Sequence, residues 1–415
     1  MKQEANMLVI FCRIFQFVFN LAARVLPWRK AVPVEGPGSI GKIPDLLREQ
    51  KVKKPLLVTD SGLVRAGIAQ RVIDVLAKAE IPHVVFSDVE ANPSVNTVNI
   101  IQKLYLAEGC DGFIALGGGS SMDAAKGAAA RVVKPGKSVN QLGGLLRVLK
   151  KLPPFIAVPT TAGTGSETTI AALITDTETH HKYAIMDLSL IPRYAILDPE
   201  LTVGLPPAIT AATGMDALTH AVEAYLCWTY NTRESIQFAL DAVKIIFANL
   251  EAVYVYGKNI AGRQAMLLAS YKGGFAFTRA GVGNIHAIAH TLGGLYNTPH
   301  GLANAVILPV VLEDYGKKVH HKLAKLAETA GLVTAADTKT AAEKARVFID
   351  AIYAMNERMG IPKGFDCIKS EDIPRMIKWA GKESNPIYPV PVIYDKERFR
   401  RVIESLRLPG QQNGV

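Results

Sequence analysis

The sequence predicts an α/β domain built on a parallel sheet, followed by an all-α domain. From Val32 to about Val203, short β-branched runs alternate with helical patterns, the grammar of strand, crossover helix and parallel strand. Beyond Leu201–Pro207, long amphipathic runs take over and strand-like segments become rare. A single apolar stretch stands apart before both. These breaks divide the 415 residues into an N-terminal extension (1–30), an α/β domain (31–204) and a helical domain (205–415). A hydrophobic content of 49% with 20% charged residues fits a globular chain and excludes a disordered one.

In the extension, Met7 to Leu26 is strongly apolar, but Arg13, Gln16, Asn20 and Arg24 recur at helical spacing. They form a narrow polar stripe on an otherwise apolar cylinder, which predicts an amphipathic helix rather than a clean membrane span. Arg13 interrupts the apolar region and no small-x-small site precedes Pro27, so a secretory signal is disfavoured. Two readings stay open for residues 7–26, a peripheral membrane contact and a subunit contact.

Candidate strands of the α/β domain are 54–60, 82–87, 112–116 and 154–158. The third runs into Gly117-Gly118-Gly119-Ser120-Ser121-Met122-Asp123-Ala124-Ala125-Lys126. Glycines at a strand end let backbone amides approach an anion, and the helix that follows aims its positive end at it, so this loop reads as a pyrophosphate cradle. It is neither Gly-x-Gly-x-x-Gly, since Met122 replaces the last glycine, nor a Walker loop. The fourth strand leads into a second loop rich in hydroxyls and glycine, Pro159-Thr160-Thr161-Ala162-Gly163-Thr164-Gly165-Ser166-Glu167. Asp60 ends the first strand, where its carboxylate could take the hydroxyls of an adenosine ribose and repel a 2′-phosphate, favouring NAD over NADP. In the ordinary dinucleotide fold this acid follows the glycine loop. Here it precedes Gly117 by 57 residues, so the topology must differ.

In the helical domain, Asp216 and His220 lie four residues apart, one turn along the same helix face. His286 and His290 repeat that spacing, with Asn284 placed to cap their helix. Thr298 and Pro299 look like the N-cap and first residue of another helix, at His300. One carboxylate and three imidazoles on rigid elements make a divalent metal site, suited to Fe, Zn, Mn or Ni rather than to the oxygen-seeking Mg and Ca.

Together these segments resemble the iron-containing, or group III, alcohol dehydrogenases from about Val34 to Leu406. The similar motifs are the Gly117–Lys126 cradle, the Pro159–Glu167 loop, Gly214-Met215-Asp216-Ala217-Leu218-Thr219-His220-Ala221-Val222-Glu223, and His286 through His300-Gly301. The resemblance implies a dehydroquinate synthase-like fold with an N-terminal dinucleotide-binding domain, a helical metal-binding domain and an active site in the cleft between them. It implies Fe(II) on Asp216, His220, His286 and His300, in a donor set that would hold Zn more tightly. His290 becomes a catalytic group near the nicotinamide. NAD would be held by Asp60, Gly117, Gly118, Gly119, Ser120, Ser121, Asp123, Thr160, Thr161, Thr164 and Ser166, with Lys182 reaching it from the same domain. The expected reaction is NAD(H)-linked oxidation of a small, largely uncharged alcohol or diol, or reduction of the corresponding aldehyde. The extension lies outside the resemblance.

The rival reading is a sugar-phosphate cyclase or lyase similar to dehydroquinate synthase, which needs Lys, Arg and Asn gathered on the substrate phosphate. Ala, Leu, Ile, Val and Gly surround the metal motifs instead. The net charge of +10 is spread along the chain with no basic run interleaved with aromatics, so nucleic acid is not an expected partner. Four scattered cysteines, Cys12, Cys110, Cys227 and Cys367, suit a reducing cytoplasm. A homo-oligomer, dimer or larger, completes the expectation. His83, His180, His181, His320 and His321 lie away from the motifs and read as surface residues.

Overall fold

The computed structural model describes residues 2–176, 181–334 and 336–408; His180 lies outside them, as do the side chains of His181 and Lys182. Two compact units result. One comprises Pro27–Leu205 with Gly257–Gly274, the other Met1–Leu26, Pro206–Tyr256 and Phe275–Val415. By packing, the N-terminal extension groups with the helical unit, and Gly257–Gly274, inside the helical half of the sequence, groups with the α/β unit.

The α/β unit has nine strands among the described residues: β1 (Val32–Glu35), β2 (Pro55–Val58), β3 (Val84–Phe86), β4 (Gly112–Gly117), β5 (Gly144–Leu145), β6 (Phe155–Pro159), β7 (Ala171–Asp176), β8 (His181–Met186) and β9 (Tyr194–Leu197). Six form a parallel sheet in the order β1-β9-β6-β4-β2-β3; β5, β8 and β7 make a small mixed sheet. Strands covered on both faces read as unbroken apolar runs, and β2, β4, β6 and β9 are buried throughout. Within β4 the pleat sends Phe113 and Ala115 to one core and Ile114 and Leu116 to the other, so one strand serves two helical layers.

Topology answers the problem posed by Asp60. The chain leaves β2 for the edge strand β3 and returns on the other side of β2 as β4, which makes the β2/β4 boundary the switch point where such sheets bind ligands. The last registered pair is Val58↔Ala115. Asp60 follows two residues beyond Val58 and Gly117 two beyond Ala115, so the two, 57 residues apart in sequence, leave neighbouring strands at the same end of the sheet.

Gly257–Gly274 joins this unit through a very close backbone approach. A Cβ on Gly165 would stand 2.5 Å from the Gly274 Cα, and Gly165 has φ +61, so no other L-residue fits the second loop there.

In the other unit, helices Lys2–Arg24, Pro207–Leu226, Arg233–Val255, Asn284–Tyr296, His300–Tyr315, His320–Thr329, Ala341–Arg358, Ile373–Ser384 and Lys396–Ser405 pack around one another. Two of them meet across Gly301, where a Cβ would lie 2.4 Å from the Ala212 carbonyl oxygen and 3.3 Å from the Asp216 Cβ. Glycine lets the start of the His300–Tyr315 helix lie directly on the Pro207–Leu226 helix. The expected caps are displaced by one residue: Gly283 and Pro299 are the N-caps, with Asn284 and His300 each the first helical residue. Asn284 is instead spent inside the unit, donating to the Val392 carbonyl and accepting from Ser384 Oγ.

Candidate functional site

The first loop leaves β4 at Gly117 and enters the Gly119–Val133 helix with Gly118 as N-cap. No side chain caps this end, so its amide groups and the helix dipole face outward as an anion site. Gly118, Gly119, Ser120, Thr161 and Thr164 remain part-exposed, whereas Ser121, Thr160 and Ser166 are buried. The two loops are tied together: Thr160 donates its N–H to the Gly117 carbonyl, and Ser166 Oγ donates to Asp123 Oδ1 at 2.9 Å. Asp123 Oδ2 accepts the Leu173 N–H at 3.1 Å. Asp123 and Ser166 therefore hold the two loops to each other and to β7.

Lys126, in the quoted motif but given no role from sequence, is the centre of that arrangement. Its Nζ is fully buried and lies within 3.4 Å of five oxygens: the carbonyls of Ser166, Thr169 and Ala171 and the hydroxyls of Ser166 and Thr169. Burial pushes its pKa down to about 8, opposed by the carboxylates of Asp123 and Glu167.

Asp60 caps the short Ser61–Arg65 helix, accepting the Leu63 N–H at Oδ1. The cap thus occupies Oδ1. Asp60→Asn keeps the cap and removes the charge, and we expect it to relax discrimination against NADPH by about 1–3 kcal/mol, as for one desolvated charged contact. Kinetics with both cofactors check this; a wild type that already uses NADPH as readily as NADH would refute the role of Asp60.

In the helical unit, Asp216, His220, His286 and His300 each offer one ligand atom, and all four atoms lie within 4.8 Å of one another. His220 stacks on Phe277 with ring centroids 4.1 Å apart, and its ring stands 4.7 Å from that of His286. One residue shows what this donor set is built for. Asn304, one turn after His300, places its Nδ2 2.7 Å from Asp216 Oδ1 and 3.1 Å from both His286 Nε2 and His300 Nε2. An amide nitrogen has only two protons to give, so three potential acceptors within 3.1 Å of it crowd one point more closely than its own hydrogen bonds require, as the ligands of a divalent cation do.

The next layer fixes the imidazoles. With Nε2 of His286 accepting, Nδ1 carries the proton and donates to Glu223 Oε2 at 2.6 Å. Glu223 also accepts the Ile285 N–H at Oε1, so one carboxylate orients a ligand and ties down the first turn of its helix. Burial raises the Glu223 carboxyl, and the backbone N–H groups of Gly283, Ile285 and His286 oppose the rise. His286 is held well below its ordinary pKa by burial and by the neighbouring imidazoles, which keeps it neutral and able to ligate. His290 stands outside the four, its ring stacked on His300 at 5.2 Å and its Nδ1 2.6 Å from Glu383 Oε1. Tyr388 donates to the same Glu383 oxygen at 2.7 Å.

Two family models cover most of the chain: iron-containing alcohol dehydrogenase over residues 33–199, and the C-terminal domain of the Fe-containing alcohol dehydrogenase family over residues 210–405. The chain belongs to the iron-containing alcohol dehydrogenase family. It is 39% identical to the 1,3-propanediol dehydrogenase of Klebsiella pneumoniae, over 84% of this chain and 90% of that one. It is 37% identical to the NAD-dependent methanol dehydrogenase of Bacillus methanolicus, over 85% and 93%. Its structure matches that of a 1,3-propanediol oxidoreductase with a TM-score of 0.88 at 34% identity, covering 92% of this chain and all of the other. It is accordingly an NAD-linked oxidoreductase of alcohols that uses a divalent metal, and the cyclase reading is not favoured. What sequence left without a role was the support around the metal-binding and cofactor residues. Glu223 could have been found three residues after His220 and Asn304 four after His300, each on the ligand face. Glu383, 93 residues from His290, carries no local signal.

Proposed function

We propose that this enzyme interconverts small, uncharged primary alcohols or diols and their aldehydes, with Asp216, His220, His286 and His300 as ligands. The observation that carries the reading is the convergence of three acceptor atoms on Asn304 Nδ2, among helix residues that are otherwise mostly Ala, Val, Ile and Leu. Relatives named for 1,3-propanediol and methanol support the same substrate class. A divalent ion in this donor set supplies Lewis acidity that lowers an alcohol's pKa, and NAD supplies the hydride acceptor. The chain itself manages the proton. His290 is anchored through Nδ1 to Glu383, leaving Nε2 to take the hydroxyl proton, and the charge of Glu383 stabilises the imidazolium that results. Tyr388 holds Glu383 in place. Gly117, Gly118, Gly119, Ser120 and Thr161, with Asp60, bind and orient the cofactor.

The same reading places the enzyme in a reducing cytoplasm, where its four free thiols persist. It also takes the protein as a homo-oligomer, for which the edge strand β1 offers an unpaired side. Steady-state oxidation of NADH over a series of aldehydes tests the substrate class: kcat/KM is expected to be highest for short uncharged aldehydes. Turnover confined to phosphorylated sugars would contradict it.

A further inference from the structure

The N-terminal helix is docked with its polar side inward. Gln16, fully buried, donates through Nε2 to the carbonyls of Pro386 and Tyr388 and accepts from Trp228 Nε1. Arg13 donates to the carbonyls of Val390 and Pro391 and lies 4.8 Å from the Trp228 ring centroid, while Asn20 donates to Thr229. Cys12, Leu8 and Phe19 complete the inner face, packing on Val390 and Ile393 and on Tyr230. Arg13, Gln16 and Asn20 of the polar stripe are therefore the glue and fix the rotation of the helix, while Arg24 at its end stays exposed.

That rotation turns the apolar arc outward. Met7, Ile10, Phe11, Ile14, Phe17, Val18 and Leu21, at spacings of three and four residues, are all exposed, Ile14 by 60% and Val18 by 59%. Trp228 and Ile387, beside the stripe's hydrogen-bond partners, are exposed by 41% and 46% and extend the same surface. An arc of this size is costly in water, and the helix cannot hide it by rolling without breaking the contacts of Arg13, Gln16 and Asn20. Length and composition alone would allow Met7–Arg24 to cross a bilayer. The engaged stripe forbids that, because a spanning helix would have to abandon those bonds.

We propose that this face seats the enzyme on an anionic lipid surface, the helix lying in the interfacial plane with its apolar arc among the acyl chains. Charge favours lipid over a second copy. With Arg13 turned inward, the helix carries Lys2 and Arg24 at its two ends against the single acid Glu4, and the whole chain is +10. Two such faces brought together would oppose like charges, whereas acidic headgroups neutralise them. The exposed phenylalanines and Trp228 are also the side chains that settle at a lipid interface.

Flotation of the full-length enzyme with vesicles of phosphatidylcholine containing phosphatidylglycerol tests this, beside vesicles of phosphatidylcholine alone and light scattering without lipid. The wild type is expected to float with the anionic vesicles and at least roughly tenfold less with the neutral ones. Phe11→Glu/Val18→Glu should lower partition roughly a hundredfold while NADH-linked turnover and the thermal transition stay unchanged, since both side chains already face outward. Wild type that stays at the bottom with anionic vesicles overturns the proposal, as does a double variant that floats equally well. A larger assembly that the double variant splits, with no flotation, assigns the face to a second copy and overturns it too.

Discussion

Replacing His286 or His300 by Ala will remove the metal and lower kcat/KM by about 10³-fold or more, since a Lewis acid supplies several kcal/mol of stabilisation to developing charge. Each substitution takes away one of the three potential acceptors that crowd a single point. The contrast with His290→Ala gives the prediction its edge. His290 shares the Asn284–Tyr296 helix with His286 and stacks on His300, yet its Nδ1 is committed to Glu383 and it lies outside the set of four converging ligand atoms. Its loss is therefore expected to slow turnover by about 10²-fold, the usual worth of a positioned proton acceptor, with the metal retained. Steady-state kinetics on the three variants separate the two roles.

Lys126→Met will destabilise the protein by about 3–5 kcal/mol and weaken NADH binding with it. The methionine fills the space but removes the ammonium shared by the carbonyls of Ser166, Thr169 and Ala171 and the positive charge beside Asp123 and Glu167, leaving Thr169 as the remaining donor to the Ser166 and Ala171 carbonyls. Those carbonyls belong to the second loop and to β7, so the damage reaches the wall of the cofactor site. Denaturant melting and NADH fluorescence titration measure the two effects. A variant with an unchanged midpoint would show that the ammonium merely tolerates its burial.

The broad architecture was legible because it rests on local physics. Unbroken apolar runs at 112–116 and 154–158, bounded by turn residues, read as strands covered on both faces, and β4 and β6 fall there, the first one residue longer and the second shifted by one. Asp216 and His220 announced themselves by a one-turn spacing, His286 by the same spacing to His290 and His300 by a helix start, and the fold brings the four together. Long-range geometry was not legible. The pairing of Asp60 with Gly117 depends on strand order, and that of His290 with Glu383 on the packing of two helices. The insertion of Gly257–Gly274 into the α/β unit rests on the Gly165–Gly274 approach and on long-range hydrogen bonds of Gln264 and Tyr271 that no periodicity reveals. The N-terminal helix shows the limit most clearly. Its stripe and its apolar arc were both visible, but which of them faced the protein was a question only the Gln16 and Arg13 hydrogen bonds could answer.

Metal content per chain, measured by elemental analysis of the purified wild type, His286→Ala and His290→Ala, tests the central claim most directly. The structure predicts about one divalent ion in the wild type, close to none in His286→Ala, and about one in His290→Ala, with NADH-linked turnover falling in both variants. A His290→Ala protein as metal-free as His286→Ala, or a metal-free wild type that turns over at full rate, would contradict it.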